Sequence, residues 1–216
     1  MIEEKLRHLG ISLPIPPKPA GSYIPVVVSG SLVFVSGQIP MEGGQLKYQG
    51  KVQNNQSVEN AQSAARLCII NALSQLNAHL GTLEHIEKIV RVSGFVNAEE
   101  NFTEHPKIIN AASELLVDVF GQKGKHTRIA VGVSSLPLNA TVEIEMIVEI
   151  SKWALRWYYT NEELSIVMNF LILVFGIDAP HALSCPPPEP PNSVASLFTS
   201  LPKCTLQLFD PLTDTA

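Results

Sequence analysis

The chain has little charge and nowhere concentrates it. Charged residues make up 16% of the 216 positions, with 15 Lys and Arg against 20 Asp and Glu, a formal net charge of −5 and a pI near 5.7. No run of basic residues occurs, so a phosphate backbone would find no cationic patch, and nucleic acid is not the expected partner. Cysteine is sparse as well. Cys68, Cys185 and Cys204 are odd in number and show no C-x-x-C spacing, which points to reduced, structural thiols. The opening Met1-Ile2-Glu3-Glu4-Lys5 lacks the apolar core of a secretory signal and the Arg/Ser-rich character of a transit peptide, so the expected location is the cytoplasm. A long apolar run is also missing. Leu164 to Ile177 is 14 residues. As a helix it would reach about 21 Å, short of the roughly 30 Å hydrocarbon core, and no membrane span is expected.

Hydrophobic residues nonetheless reach 45%, enough to exclude disorder throughout. Their distribution divides the chain in two. Residues 1–151 mix charges, glycines and periodic apolar positions as a folded domain does. From Lys152 the texture changes: Trp153, Trp157, Tyr158 and Tyr159 bunch together, the apolar run follows, and prolines cluster from Pro186 to Pro191. Residues 152–216 read as an atypical, poorly ordered C-terminal extension. A partner-binding or buried helix, a weak membrane-surface anchor and a non-homologous addition are three readings of it.

In the first region, prolines 14, 16, 17, 19 and 25 forbid helix and suit an extended lead-in. Val26-Val27-Val28, Ser29-Gly30-Ser31 and Leu32-Val33-Phe34-Val35 predict a β-hairpin, closed by Ser36-Gly37-Gln38, with a further turn at Gly43-Gly44. Ser57 is a good N-cap for a helix whose stripe is Val58, Ala61, Ala65, Cys68, Ala72, Leu76 and Leu80, ended by Gly81. Cys68 lies on that stripe and reads as a small buried hydrophobe. Ile86 to Val96 predicts a strand. Pro106 opens a second helix with Ile109, Ala112, Leu116 and Val119 inward and Gly121 past its end. Ile129 to Val133 and Thr141 to Ile150 predict strands. The last alternates strictly, with Val142, Ile144, Met146, Val148 and Ile150 on one face and Glu143, Glu145 and Glu149 on the other. The order is β-β-α-β-α-β-β, an α+β fold whose two helices cover one face of a mostly antiparallel or mixed sheet. The other face must meet solvent or another subunit.

Few residues suggest chemistry. Arg128, after Gly124-Lys125-His126-Thr127, begins a strand and can present its fork of donors to a carboxylate; its plain alternative is a surface ion pair. Glu143 lies near the start of the last strand. The short connection before it suggests that it sits near Arg128, where a partly dry carboxylate can hold a proton or position water. Its plain alternative is a solvated glutamate. Tyr23 and Ser36 offer hydroxyls beside glycines, and His105 and His126 read as surface or structural.

The segments Gly21-Ser22-Tyr23-Ile24-Pro25, Leu32-Val33-Phe34-Val35-Ser36-Gly37-Gln38-Ile39-Pro40, Arg128 through Leu136-Pro137, and Val142-Glu143-Ile144-Glu145 resemble the YjgF/RidA family in order and spacing. Leu9-Gly10-Ile11, Ala64-Ala65-Arg66-Leu67-Cys68, Gly94-Phe95-Val96-Asn97 and Phe102-Thr103 look like its longer, chorismate-mutase-like branch, which is also labelled an endoribonuclease. The resemblance covers about residues 1–150. It implies a homotrimer with its sheets packed into a central barrel, helices outside, and ligand clefts between subunits. It also implies hydrolysis of reactive enamine or imine intermediates to 2-oxo acids and ammonia, with no cofactor and no metal. Arg128 then matches the arginine that clamps the substrate carboxylate, and Glu143 the glutamate that positions water. Tyr23 matches the cleft tyrosine, Ser36 and Gly37 belong to the S-G-Q motif, and Asn110 matches a cleft asparagine. Where the family often has a cysteine two residues after the arginine, this chain has Ala130. Imine hydrolysis needs no thiol, because a protonated imine is already electrophilic.

Two rivals stand beside an imine deaminase. One is a non-catalytic protein that binds small carboxylates through the same arginine. The other, an endoribonuclease, is disfavoured by the acidic charge and the lack of paired histidines.

Overall fold

The computed structural model describes residues 1–16, 21–152, 154 and 155, all within one compact unit, Met1–Tyr158. The expectations for Trp153, Trp157, Tyr158, Tyr159, the Leu164 to Ile177 run, the proline cluster, Cys185 and Cys204 lie outside the described residues.

Among the described residues, ten α-helices and β-strands make the fold. In chain order they are α1 (Ile2–His8), β1 (Val26–Ser29), β2 (Leu32–Gln38), β3 (Met41–Glu42), β4 (Gln45–Leu46), α2 (Val58–Leu80), β5 (Ile86–Asn97), α3 (His105–Phe120), β6 (Thr127–Val133) and β7 (Val142–Ile150). Five strands form one sheet in the order β1-β2-β7-β5-β6, and β3 pairs with β4 in a small separate hairpin. Every neighbouring pair in the large sheet is antiparallel except β5 and β6, so the sheet is mixed. This is the expected α+β architecture, with α1 and the β3–β4 hairpin added to the seven predicted elements.

Local chemistry explains the boundaries. Ser57 Oγ accepts from the Asn60 backbone N–H at 3.1 Å and caps α2, and Gly81 ends it in a left-handed conformation at φ 77°. Pro106 sits in the first turn of α3, where its missing N–H costs nothing, and Gly121 follows the last turn. Gly30, at φ 57°, makes the tight turn between β1 and β2.

α2 and α3 pack against each other and on the same side of the sheet. The core lies between: Ala65, Cys68, Leu73 and Leu76 from α2, Ile109, Leu115 and Leu116 from α3, and Val33, Val92, Ile144 and Val148 from the strands are buried. Each buried Leu or Ile contributes about 1.5–3 kcal/mol relative to an exposed one. Burial also pushes the Cys68 thiol well above its ordinary pKa, so it packs as an apolar group. The opposite face of the sheet carries no helix among the described residues. Val27, Phe34, Ile129 and Val131 stand exposed on it, between 38% and 42% accessible.

β7 alternates as expected, with Val142, Ile144, Met146, Val148 and Ile150 toward the helices. One irregularity interrupts β2. Val35 pairs with Met146 and Gln38 with Ile144, so three steps on β2 oppose two on β7, and Ser36-Gly37 form a β-bulge.

Candidate active site

The bulge organises one group of the expected site residues. Ser36 Oγ donates to the Ile24 carbonyl at 2.9 Å, and the Ser36 N–H donates to the Pro25 carbonyl at 2.9 Å, which fixes the chain beside Tyr23. Tyr23 itself is exposed. Gly37 faces Glu143: a Cβ at that glycine would run into Glu143 Oε1 and come within 3.0 Å of Cδ. Only glycine gives the carboxylate that space. Glu143 is half-buried, and burial, with the nearby Glu145 charge adding to it, raises its pKa above the ordinary carboxylate value.

A second group gathers on β6 and α3. Arg128 lies within β6, one residue after its start, and points to the helix side of the sheet. Its Nη1 donates to Asn110 Oδ1 at 2.8 Å and to Ser113 Oγ at 3.1 Å. Ser113 Oγ lies 3.0 Å from His126 Nε2, and His126 Nδ1 lies 2.6 Å from the Gly124 carbonyl oxygen. Burial lowers the pKa of His126 and the Arg128 charge lowers it further, against the Gly124 carbonyl, which favours the protonated ring. Ser113, Val117, Lys125, His126 and Arg128 line an open hollow of about 290 Å³.

Within one chain these groups do not meet. Arg128 is level with Val92 on β5, whereas Glu143 is level with Phe95, and β5 runs between β6 and β7. Two strand spacings and a three-residue offset separate their Cα atoms by roughly 14 Å. They also point to opposite faces, since Arg128 shares its row with the buried Val92 and Met146, and Glu143 lies on the open side. The expectation that the short Leu136–Asn139 connection would bring Glu143 beside Arg128 is therefore corrected. That connection steps over β5 rather than joining adjacent strands.

Asn110 and Arg128, both among the expected site residues, are hydrogen-bonded to each other. Ser113 was not foreseen, although its spacing of three from Asn110 places both on one helix face. His126, read as surface or structural, is half-buried in contact with it. Ala130, where the family often has cysteine, is half-buried against the core. No group of three or more His, Cys, Asp and Glu side chains suited to a metal ion occurs among the described residues.

The fold and sequence match known proteins over this same region. Protein TCP17 of Trypanosoma cruzi is 39% identical over 153 residues, covering 69% of this chain and 94% of that protein. A 2-iminobutanoate/2-iminopropanoate deaminase of Dermatophagoides farinae is 33% identical over 141 residues, 65% of this chain and 94% of that one. Among solved structures, protein Atu1372 of Agrobacterium tumefaciens is 44% identical with a TM-score of 0.66, covering 69% of this chain and 92% of that one. A protein of Shewanella oneidensis described as an endoribonuclease is 34% identical with a TM-score of 0.68, covering 69% and 99%. The sequence pattern described as "YjgF/chorismate mutase-like, putative endoribonuclease" matches residues 3–150, and the chain belongs to that family.

Proposed function

We propose that the protein hydrolyses small enamine or imine acids to 2-oxo acids and ammonia in a cleft shared by neighbouring copies of the chain. The observation that carries this reading is the separation of two complementary half-sites. Arg128, with no ion-pair partner among the described residues, lies at the β6 edge; Glu143 lies toward the other side of the sheet, over Gly37. A head-to-tail ring, of which a trimer is the simplest for this family, brings the β6 edge of one copy to the bulged strand of the next. The exposed Val27, Phe34, Ile129 and Val131 give such a ring an apolar inner face.

In that cleft Arg128 holds the carboxylate of the protonated imine. Water adds to the imine carbon, its proton passing to Glu143. Glu143 returns that proton to the carbinolamine nitrogen, the C–N bond breaks as the carbonyl forms, and the departing ammonia takes the hydroxyl proton to leave as ammonium. The sum is iminium acid plus water giving the 2-oxo acid anion and ammonium. A raised pKa makes the Glu143 carboxylate a better base than an ordinary one, and Gly37 leaves it room to reach the water. The deaminase from Dermatophagoides farinae supports this chemistry as a family activity.

The test is ammonia release from freshly generated 2-iminobutanoate. Arg128→Ala is expected to lower kcat/KM by at least about 100-fold, the scale for losing a charge-assisted bidentate contact. Unchanged turnover in that variant overturns the proposal. Binding of 2-oxobutanoate without any turnover by the wild type would identify a carboxylate-binding protein instead.

A further inference from the structure

Arg128 is held by side chains that the reaction above leaves unused, and how they hold it decides which edge of the guanidinium is free. His126 Nδ1 lies 2.6 Å from the Gly124 carbonyl oxygen. A carbonyl only accepts, so Nδ1 bears the proton and donates. Burial and the adjacent Arg128 charge lower the ring's pKa and so favour the neutral form, in which Nε2 presents a lone pair. Ser113 Oγ, 3.0 Å away, donates its one hydrogen to that lone pair. Its oxygen is then left to accept, and Arg128 Nη1 donates to it at 3.1 Å. The second Nη1 hydrogen goes to Asn110 Oδ1 at 2.8 Å.

Nη1 has two hydrogens, and both are committed. The remaining three N–H groups are on Nε and Nη2, and no acceptor among the described residues takes them. Every member of this chain of bonds is uncharged except the arginine. The guanidinium is therefore oriented without being neutralised, and its charge stays available to an anionic guest.

We propose that Ser113 and His126 are positioning residues that turn the Nε/Nη2 edge of Arg128 toward the ligand carboxylate. This deepens the reading of Arg128 as the carboxylate clamp and rests on it. The carboxylate docks side-on, one oxygen on Nε and the other on Nη2, in the parallel two-bond geometry that suits the planar fork. An end-on fork through Nη1 and Nη2 would require breaking the bond to Asn110 or to Ser113. The supports stand on regular structure: Asn110 and Ser113 share a face of α3, and His126 is anchored to the backbone just before β6.

The experiment uses the full chain. Affinity for 2-oxobutanoate by calorimetry, and kcat and KM for 2-iminobutanoate, are measured in wild type, Arg128→Ala, Ser113→Ala, Ser113→Thr, His126→Phe and the Ser113→Ala/His126→Phe double variant, each with a thermal melt. Ser113→Ala and His126→Phe should each weaken 2-oxobutanoate binding and raise KM about tenfold, the loss falling on KM more than on kcat. Ser113→Thr, which keeps the hydroxyl, should restore binding to within about twofold. The double variant should be no weaker than either single one, because both cut the same chain of bonds. Wild-type affinity in Ser113→Ala, a Ser113→Thr as weak as Ser113→Ala, or multiplying losses in the double variant would each overturn the positioning role. If Arg128→Ala loses binding while Ser113→Ala does not, only this inference fails. If Arg128→Ala binds like wild type, the reading beneath it fails too.

Discussion

On the β2–β7 side of the sheet a half-buried carboxylate lies over a glycine in a bulged strand, while at the β6 edge a guanidinium is tied to two neutral side chains of a helix. The first side presents an acid and the second a cation, and neither Glu143 nor Arg128 has an ion-pair partner among the described residues. They differ in construction as much as in charge. Glu143 gains its place from backbone that has been cleared away, whereas Arg128 gains its place from hydrogen bonds added around it. A glycine stands at the base of each, and the two glycines meet different neighbours. At Gly124 a Cβ would strike the Leu116 carbonyl oxygen and come within 2.7 Å of its carbon, which is helix backbone. At Gly37 it would meet the free end of a side chain.

The same substitution should therefore act differently at the two places. Gly124→Ala has the largest expected effect: α3 cannot yield by a few tenths of an ångström without losing its packing on β6. A loss of about 3 kcal/mol is expected, seen as a fall of roughly 10 °C in the melting midpoint. A melt within 2–3 °C of wild type, on the order of 1 kcal/mol, would mean that the β6 side is as compliant as the other. Gly37→Ala comes next. Its stability should change by less than about 1 kcal/mol, because a carboxylate can swing aside, yet turnover should drop about tenfold as Glu143 leaves its position. Full activity with an intact fold would show that Glu143 need not sit over the bulge.

The smallest effect separates the two sides by pH. The pKa of Glu143 is raised on folding, so the folded chain binds its proton more tightly than the unfolded chain does. Below the ordinary value of 4.5 both forms are protonated and the burial carries no penalty. As pH rises through 4.5 toward the raised folded value the penalty grows, and above that it is constant. Glu143→Gln should thus stabilise the protein modestly at pH 7, and the gain should vanish near pH 4. A gain independent of pH would assign the effect to packing rather than to charge.

Most of the architecture is legible in the sequence because periodicity is a local signal. The stripe of α2 from Val58 to Leu80 and the alternation of β7 both repeat often enough to fix type and face. α1 escaped because seven residues give too few repeats, even though Ile2 and Leu6 are buried. Which strands lie side by side is not local. The four residues from Leu136 to Asn139 look like the link of neighbouring strands, yet β5 pairs with both β6 and β7 and keeps them apart. That single fact of sheet order moves Glu143 away from Arg128. Ser113 was hidden for a related reason: a serine on a helix acquires meaning only once β6 has docked against that helix and delivered His126 and Arg128 to it.

The bulge at Ser36-Gly37 works as a phase slip in the strand. Up to Val35 the odd-numbered residues face the helices; after it the even-numbered Gln38 does, opposite Ile144 and almost wholly enclosed. One surplus residue thus reverses inside and outside halfway along β2, leaving glycine where a valine's successor would otherwise point inward. Substitutions in this strand change a side chain, but a change of length by one residue would exchange the faces of everything beyond it.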